Sequence, residues 1–325
     1  MVELADIEAA GRRLASPVRR TPLLDVGPLP GGGPGSRLTL KLENLQVTGS
    51  FKARGATNRV LTLSEDQVSR GLVTASGGNH GLGVAFAGRL AGAPVTIYLP
   101  SNVPPDKAAK LERWGARVLW EGDVWDDANE AALTAAKREG MTYVHPFADP
   151  AVIAGQGTLG LEILEDAPGT DLVLVAIGGG GLIAGVATAV KALRPAVRVV
   201  GIEPVGAPTL YESLKAGRVV ELPRISTAAN TLAPRRSHEM NLEIIQKTVD
   251  EVVLVTDEEM REAARWLWFE AGIAAELSGA ASLAALLAGK VRLEDVRSAC
   301  ALICGAGTDG LVEETGAVRA GRVFE

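Results

Sequence analysis

The chain has 325 residues, 47% of them hydrophobic and 22% charged, enough for two packed lobes and a substantial core. A formal net charge of −6, with no extended basic run, argues against nucleic acid or an anionic membrane surface as a partner. The opening MVELADIEAAGRRLASPVRRTP carries charges where a signal peptide has an apolar core, and no stretch approaches the ~18 apolar residues of a membrane span. Only Cys300 and Cys304 are present, too close together to staple the fold; they read as reduced thiols of a cytoplasmic protein.

Taken in chain order, strands are predicted at 38–42 (LTLKL), 72–75 (LVTA), 95–99 (VTIYL), 116–120 (ARVLW), 172–177 (LVLVAI), 197–202 (VRVVGI), 251–255 (EVVLV) and 299–304 (ACALIC). Helical patterns fall between them at 80–91, 105–114, 124–139, 150–165, 182–193, 257–271 and 278–288, and Lys52 opens another. The stretch PLPGGGPGS (28–36) is a turn between early elements. This alternation predicts an α/β fold with parallel sheets covered by helices on both faces, gathered into two lobes.

Open α/β sheets bind ligands beyond the carboxyl ends of their strands, so three loops there matter most. AIGGGGLIAG sets Gly178, Gly179, Gly180 and Gly181 between a strand and a helix, where bare amides and the helix N-terminus suit a phosphate. ASGGNHGLG offers Ser76, Gly77, Gly78 and Asn79 to an anion such as a carboxylate; the alternative is that Ser76 or Asn79 only caps the helix. ICGAGTDG places the Cys304 thiol at a strand end, or merely buries it as a small apolar group. The three histidines lack metal-ligand spacing. A competing reading takes Gly179, Gly181 and Ala184 as a relaxed dinucleotide motif with Glu203 as the ribose acid, but leaves Lys52 without a role. A phosphate cradle, a carboxylate cradle and a lysine at a helix start suit an amine that forms a Schiff base with a phosphorylated aldehyde.

The block KLENLQVTGSFKARGATN (41–58) resembles the signature of fold type II pyridoxal-phosphate enzymes, the serine/threonine dehydratase and serine racemase family. The resemblance continues through SGGNH (76–80), HPFADPAVIAGQGT (145–158), GGGGL (178–182), GIEP (201–204), ELSGA (276–280) and CGAGT (304–308). It implies two open, twisted, mostly parallel sheets, as in the tryptophan synthase β-like fold. Residues 1–62 and 147–325 would form a large cofactor domain and 63–146 a small domain that closes on substrate. It further implies pyridoxal 5'-phosphate bound covalently by Lys52, the catalytic base, with Phe51 against the ring and Asn79 on its phenolic oxygen. Gly178, Gly179, Gly180, Gly181 and Leu182 would hold the phosphate, and Cys304 would face the ring nitrogen. Ser76, Gly77, Gly78, Asn79 and His80 would hold the substrate carboxylate. The implied reaction is deaminating dehydration of a β-hydroxy amino acid, threonine or serine first, by a homodimer.

Several positions depart from the family pattern. Racemases carry a serine at the place of Gly77, so elimination is expected to dominate here. The family's cation site would keep Glu203 but has Thr209 for its second acid, which leaves a hard-cation site weak. Asn230-Thr231 stands where many relatives have Asp-Gly, and Arg235 or Arg236 is a candidate for a second substrate carboxylate, as on threo-3-hydroxyaspartate. A β-replacement enzyme and a non-catalytic cofactor-binding protein remain as alternatives. Nothing after the third loop matches the regulatory domain of biosynthetic threonine deaminases, so isoleucine feedback through one is not expected.

Overall fold

A computed structural model describes residues 1–311. Runs rich in Val, Leu and Ile pair side by side into two sheets because helices cover both faces of each. Among the described residues ten strands form: β1 (Leu23–Pro28), β2 (Arg37–Leu42), β3 (Leu72–Ala75), β4 (Val95–Leu99), β5 (Arg117–Trp120), β6 (Thr142–Tyr143), β7 (Leu172–Ala176), β8 (Arg198–Pro204), β9 (Glu251–Val255) and β10 (Ser298–Ile303). The helices of the N-terminal half are α1 (Leu4–Leu14), α2 (Lys52–Leu61), α3 (Glu65–Arg70), α4 (Asn79–Ala91), α5 (Pro105–Arg113) and α6 (Trp125–Glu139). They are followed by α7 (Pro150–Asp166), α8 (Gly181–Leu193), α9 (Thr209–Ala216), α10 (Glu239–Thr248), α11 (Asp257–Ala271) and α12 (Ala281–Leu287).

The larger sheet has the order β1-β2-β10-β7-β8-β9 and the smaller β5-β4-β3-β6. Every neighbouring pair is parallel except β1–β2, so the expected fold class holds. The eight strands anticipated from hydrophobic runs are all present. The segment 28–36 links β1 to β2 as the expected turn. Two strands were not anticipated: β1 is a half-exposed edge strand with a bulge between Asp25 and Gly27, and β6 has only two residues.

The main core lies around the larger sheet, with Leu38, Leu40, Leu174, Val200, Ala301 and Ile303 fully buried. A second core under the smaller sheet draws in Ala56 and Val60 of α2 together with Leu72, Ile97 and Leu111. Helix α2 is therefore packed from both sides. Its backbone meets that of α7 directly: a Cβ on Gly155 would stand 2.7 Å from Gly55 Cα. That approach fixes the axis on which Lys52 begins. The first element of the expected small domain, residues 63–146, is α3 and the last is β6; residues 312–325 of the expected large domain lie outside the described residues.

Candidate active site

The loop before Lys52 is built by three local devices. The Gln46 side chain accepts the Arg19 and Val47 amides at 2.8 Å each and returns a bond to Arg19 O. Thr48 takes the left-handed φ of 68°, which a threonine adopts only when its surroundings impose it, and Gly49 follows at 86°. The chain then zips against the loop after β10: Ser50 bridges Gly305, Phe51 N donates to Cys304 O at 3.2 Å, and Ala306 N to Gly49 O at 2.8 Å. Two sequence-distant motifs, the lysine block and CGAGT, thus form one surface. Phe51 packs half-buried on the main core, with its ring centroid 5.1 Å from Lys52 Nζ.

The Lys52 amine donates to Pro146 O at 2.7 Å. Burial lowers its pKa from 10.5 to about 8, against the opposing pull of Cys304 and Glu276. At that pKa the amine is still mostly protonated near pH 7, with a neutral minority far larger than that of a free lysine. Burial raises the pKa of the Cys304 thiol, so it stays protonated and uncharged.

Pro146 belongs to a turn held from both sides. His145 Nδ1 accepts the Phe147 and Ala148 amides at 3.2 and 2.8 Å, and Asn241 Nδ2 donates to Phe147 O at 3.2 Å. The Phe147 ring lies directly on Gly179, where any Cβ would collide with it, and a Cβ on Gly181 would stand 2.6 Å from Phe147 O. Gly180 has φ 89°, and a Cβ on Gly178 would sit 2.8 Å from Thr231 O. All four glycines are thus required by space or backbone angle. Ser237 Oγ and Asn241 Nδ2 hold Gly179 O at 2.9 and 2.6 Å. The first-turn amides of α8, Leu182 N among them, have no acceptors within their own helix. A rigid loop of bare amides at a helix N-terminus fits a phosphate.

The second loop opens α4. Gly78 is the residue before the helix, and its amide donates to Ser76 Oγ at 3.3 Å. Asn79 does not cap: its Nδ2 donates to Glu276 Oε1 at 2.8 Å. His80 is buried with Nε2 at 2.9 Å from Val144 O, which assigns the ring proton to Nε2. Burial and nearby Lys52 hold its pKa down to about 3, so it is neutral and leaves the loop to bind through amides. Gly77 faces Val103; a Cβ there would be 2.9 Å from Val103 Cγ1.

Glu203 ends β8 buried, and its two carboxylate oxygens accept the Leu210 and Tyr211 amides at 2.8 and 2.7 Å. Those two bonds anchor the start of α9. Among the described residues no cluster of three His, Cys, Asp or Glu side chains is arranged for a metal. Arg235 pairs with Glu221 at 2.8 Å and Arg236 with Glu239 at 2.8 Å, on the surface. Neither is gathered with Lys52. Glu276, Asn241 and the Pro146 carbonyl belong to the site but carried no assigned role in the sequence; HPF and ELSGA lay in the family blocks, whereas Asn241 had no signal.

The family profile for pyridoxal-phosphate dependent enzymes matches residues 14–305. The chain belongs to that family. Family members near it include the L-threonine ammonia-lyase of Thermotoga maritima, 44% identical over 88% of this chain and 71% of that protein. The L-threonine ammonia-lyase of Geobacter sulfurreducens is 41% identical over 98% of this chain and 80% of its own length. The solved processed form of threonine deaminase isoform 2 from Solanum lycopersicum superposes with a TM-score of 0.86 at 33% identity, covering 94% of this chain and 89% of that one. The chain is a lyase of this family and its cofactor is pyridoxal phosphate. Among its described residues no helix is long and apolar enough to cross a membrane.

Proposed function

We propose that this enzyme deaminates L-threonine and L-serine to the 2-oxo acid and ammonia, losing a water by β-elimination and taking one back in hydrolysis. The observation that carries the reading is the buried Lys52 amine, brought to a pKa of about 8 between a bare-amide phosphate loop and a second amide loop suited to a carboxylate. Relatives at 41–44% identity bear the name L-threonine ammonia-lyase, which supports threonine as a substrate.

In this reading Lys52 would hold the cofactor covalently, the amides of Gly178–Leu182 would take its phosphate, and Phe51 would flank its ring. Asn79 would serve its phenolic oxygen, and the neutral Cys304 thiol its ring nitrogen. The bound cofactor supplies an electron sink for the charge left when Cα loses a proton. The loop Ser76–His80 grips the substrate carboxylate through its amides and the Ser76 hydroxyl. That grip turns the Cα–H bond toward Lys52, whose amine, free once the substrate's own amine has displaced it from the cofactor, would take the proton. The β-hydroxyl leaves as water with a proton such as the one Lys52 has accepted, and addition of one water to the released enamine yields the 2-oxo acid and ammonia.

Racemisation needs a second proton carrier on the face opposite Lys52. Gly77 has no side chain, and Val103 fills the space one would need. With Arg235 and Arg236 engaged by surface carboxylates, a dicarboxylic substrate is disfavoured as well. Residues 63–146 are read as the mobile lobe that shuts water out, in a homodimeric enzyme of the cytoplasm.

The test is ammonia release by cofactor-loaded protein from L-threonine, L-serine and threo-3-hydroxyaspartate in parallel. Release from the first two, abolished by Lys52→Ala, is expected. Turnover by Lys52→Ala at the wild-type rate would remove the lysine from the chemistry, and release from hydroxyaspartate alone would overturn the substrate reading.

A further inference from the structure

Glu276 sits where three segments of the site meet. Its Oε1 accepts Asn79 Nδ2 at 2.8 Å, from the start of α4, and Thr231 Oγ1 at 3.4 Å, from the turn over the glycine loop. Its backbone amide donates to Gly305 O at 3.1 Å, and Asp309 Oδ1 accepts the amide of the next residue, Leu277, at 3.1 Å. Gly305 is bare on the side facing the carboxylate: a Cβ there would collide with Oε1 and stand 3.1 Å from Asn79 Nδ2. Glu276 therefore ties the loop after β3, on the smaller sheet, through its carboxylate to the loop after β10, on the larger, through its backbone amide.

We propose that Glu276 is a positioning residue that fixes the orientation of the Asn79 carboxamide for the cofactor. A side-chain amide can flip, exchanging its two donors for an acceptor at the same place. A carboxylate beside it accepts only, so it selects the face with Nδ2 turned toward Glu276 and leaves the second N–H of that group, with Oδ1, for the site. Thr231 reinforces the choice by filling another lone pair of the same oxygen. This gives a role to the Asn230-Thr231 departure, since a glycine at 231 has no hydroxyl to offer. The inference rests on the assignment of Asn79 to the cofactor made above.

The carboxyl is also poised to respond to pH. Burial first and Asp309 second push its pKa up to about 7, while Asn79, Thr231 and Lys107 pull it down. The other titratable groups that face it are Lys52, from the start of α2, and the neutral Cys304 thiol at the end of β10.

The test is binding, read apart from turnover: apoprotein titrated with pyridoxal 5'-phosphate and followed by tryptophan fluorescence between pH 6 and 8.5. Glu276→Ala should weaken binding roughly tenfold, the worth of one charge-assisted hydrogen bond. Glu276→Gln is neutral and presents a donor as well as an acceptor, so it no longer selects one face; it should bind as the wild type does at the acid end of the range and lose the change of Kd around pH 7. Adding Glu276→Ala to Asn79→Ala should cost little more than Asn79→Ala alone, because both act through one amide. Wild-type affinity in Glu276→Ala, or fully additive losses, would overturn the proposal. Should Glu276→Ala not fold, an unchanged pH dependence in Glu276→Gln overturns it. Absence of ammonia release from threonine and serine would sink the substrate reading while leaving these binding results intact.

Discussion

Holding the Lys52 amine out of water costs the fold stability. With the folded pKa near 8 against 10.5 in water, the cost at pH 7 is on the order of 3 kcal/mol. Between pH 8 and 10.5 the unfolded chain binds a proton that the folded chain has lost, so stability rises with pH there and the penalty fades. Lys52→Met keeps the aliphatic stem and removes the charge. The apoprotein of that variant should melt above the wild type at pH 7, with the advantage shrinking toward pH 10; a lower melting temperature throughout would show that the amine is well accommodated. Lys52 and the four glycines were legible in the sequence because their demands are local: an amine at a helix start, and a backbone that admits no Cβ. Glu276 was not, since its bond to Asn79 joins positions 197 residues apart and no spacing rule reaches that far.

At the scale of elements, α2 is held less by its own sequence than by a buried ionic cluster. Arg54 donates to Glu43 at 2.8 and 2.9 Å and to Glu162 at 2.6 and 3.0 Å, while Lys41 meets Glu162 at 2.6 Å and Thr21 meets Glu43 at 2.5 Å. This clamps α2 to the β2 side and to α7, two residues beyond Lys52. Arg54→Met leaves the fully buried Glu43 without a guanidinium and should cost about 3–5 kcal/mol in urea unfolding. Adding Glu43→Gln should recover part of that loss, and a penalty below about 1 kcal/mol for Arg54→Met would show the cluster to be dispensable. The sequence displayed these charges only as part of a motif. Strands were more readable: the central ones are continuous apolar runs, and LVTA, VTIYL and EVVLV match β3, β4 and β9 residue for residue. β1, β6, α1, α3, α9 and α10 are not predicted from the sequence: β1 is an edge strand, β6 has two residues, α3, α9 and α10 are short, and α9 and α10 are anchored from outside by Glu203 and Gly179 O.

Across the described residues, four buried groups, His80, His145, Glu203 and Glu276, titrate in opposition. His80 and His145 are depressed to about 3 and 4, burial being the main cause in each, whereas burial raises Glu203 and Glu276 to about 8 and 7. Between pH 4.5 and 6.5 the unfolded chain gains a proton on each histidine that the folded chain refuses, and releases one from each glutamate that the folded chain keeps. The two contributions cancel, so apoprotein stability should be flat across that window. Above pH 6.5 only the glutamate terms remain and stability falls with rising pH until about 8. Below 4.5 only the histidine terms remain and stability falls with acid. Single substitutions should tilt the plateau in defined directions. His80→Gln, which retains a donor for Val144 O, removes one histidine term; its stability should then rise toward acid by about 1 kcal/mol per pH unit between 6.5 and 4.5. Glu203→Gln removes one glutamate term and should tilt the plateau the opposite way. Urea midpoints at pH 4.5, 5.5 and 6.5 for the three apoproteins decide the matter. Parallel curves would mean that these groups titrate alike in the folded and unfolded chains, and the electrostatic account of the site would fall with them.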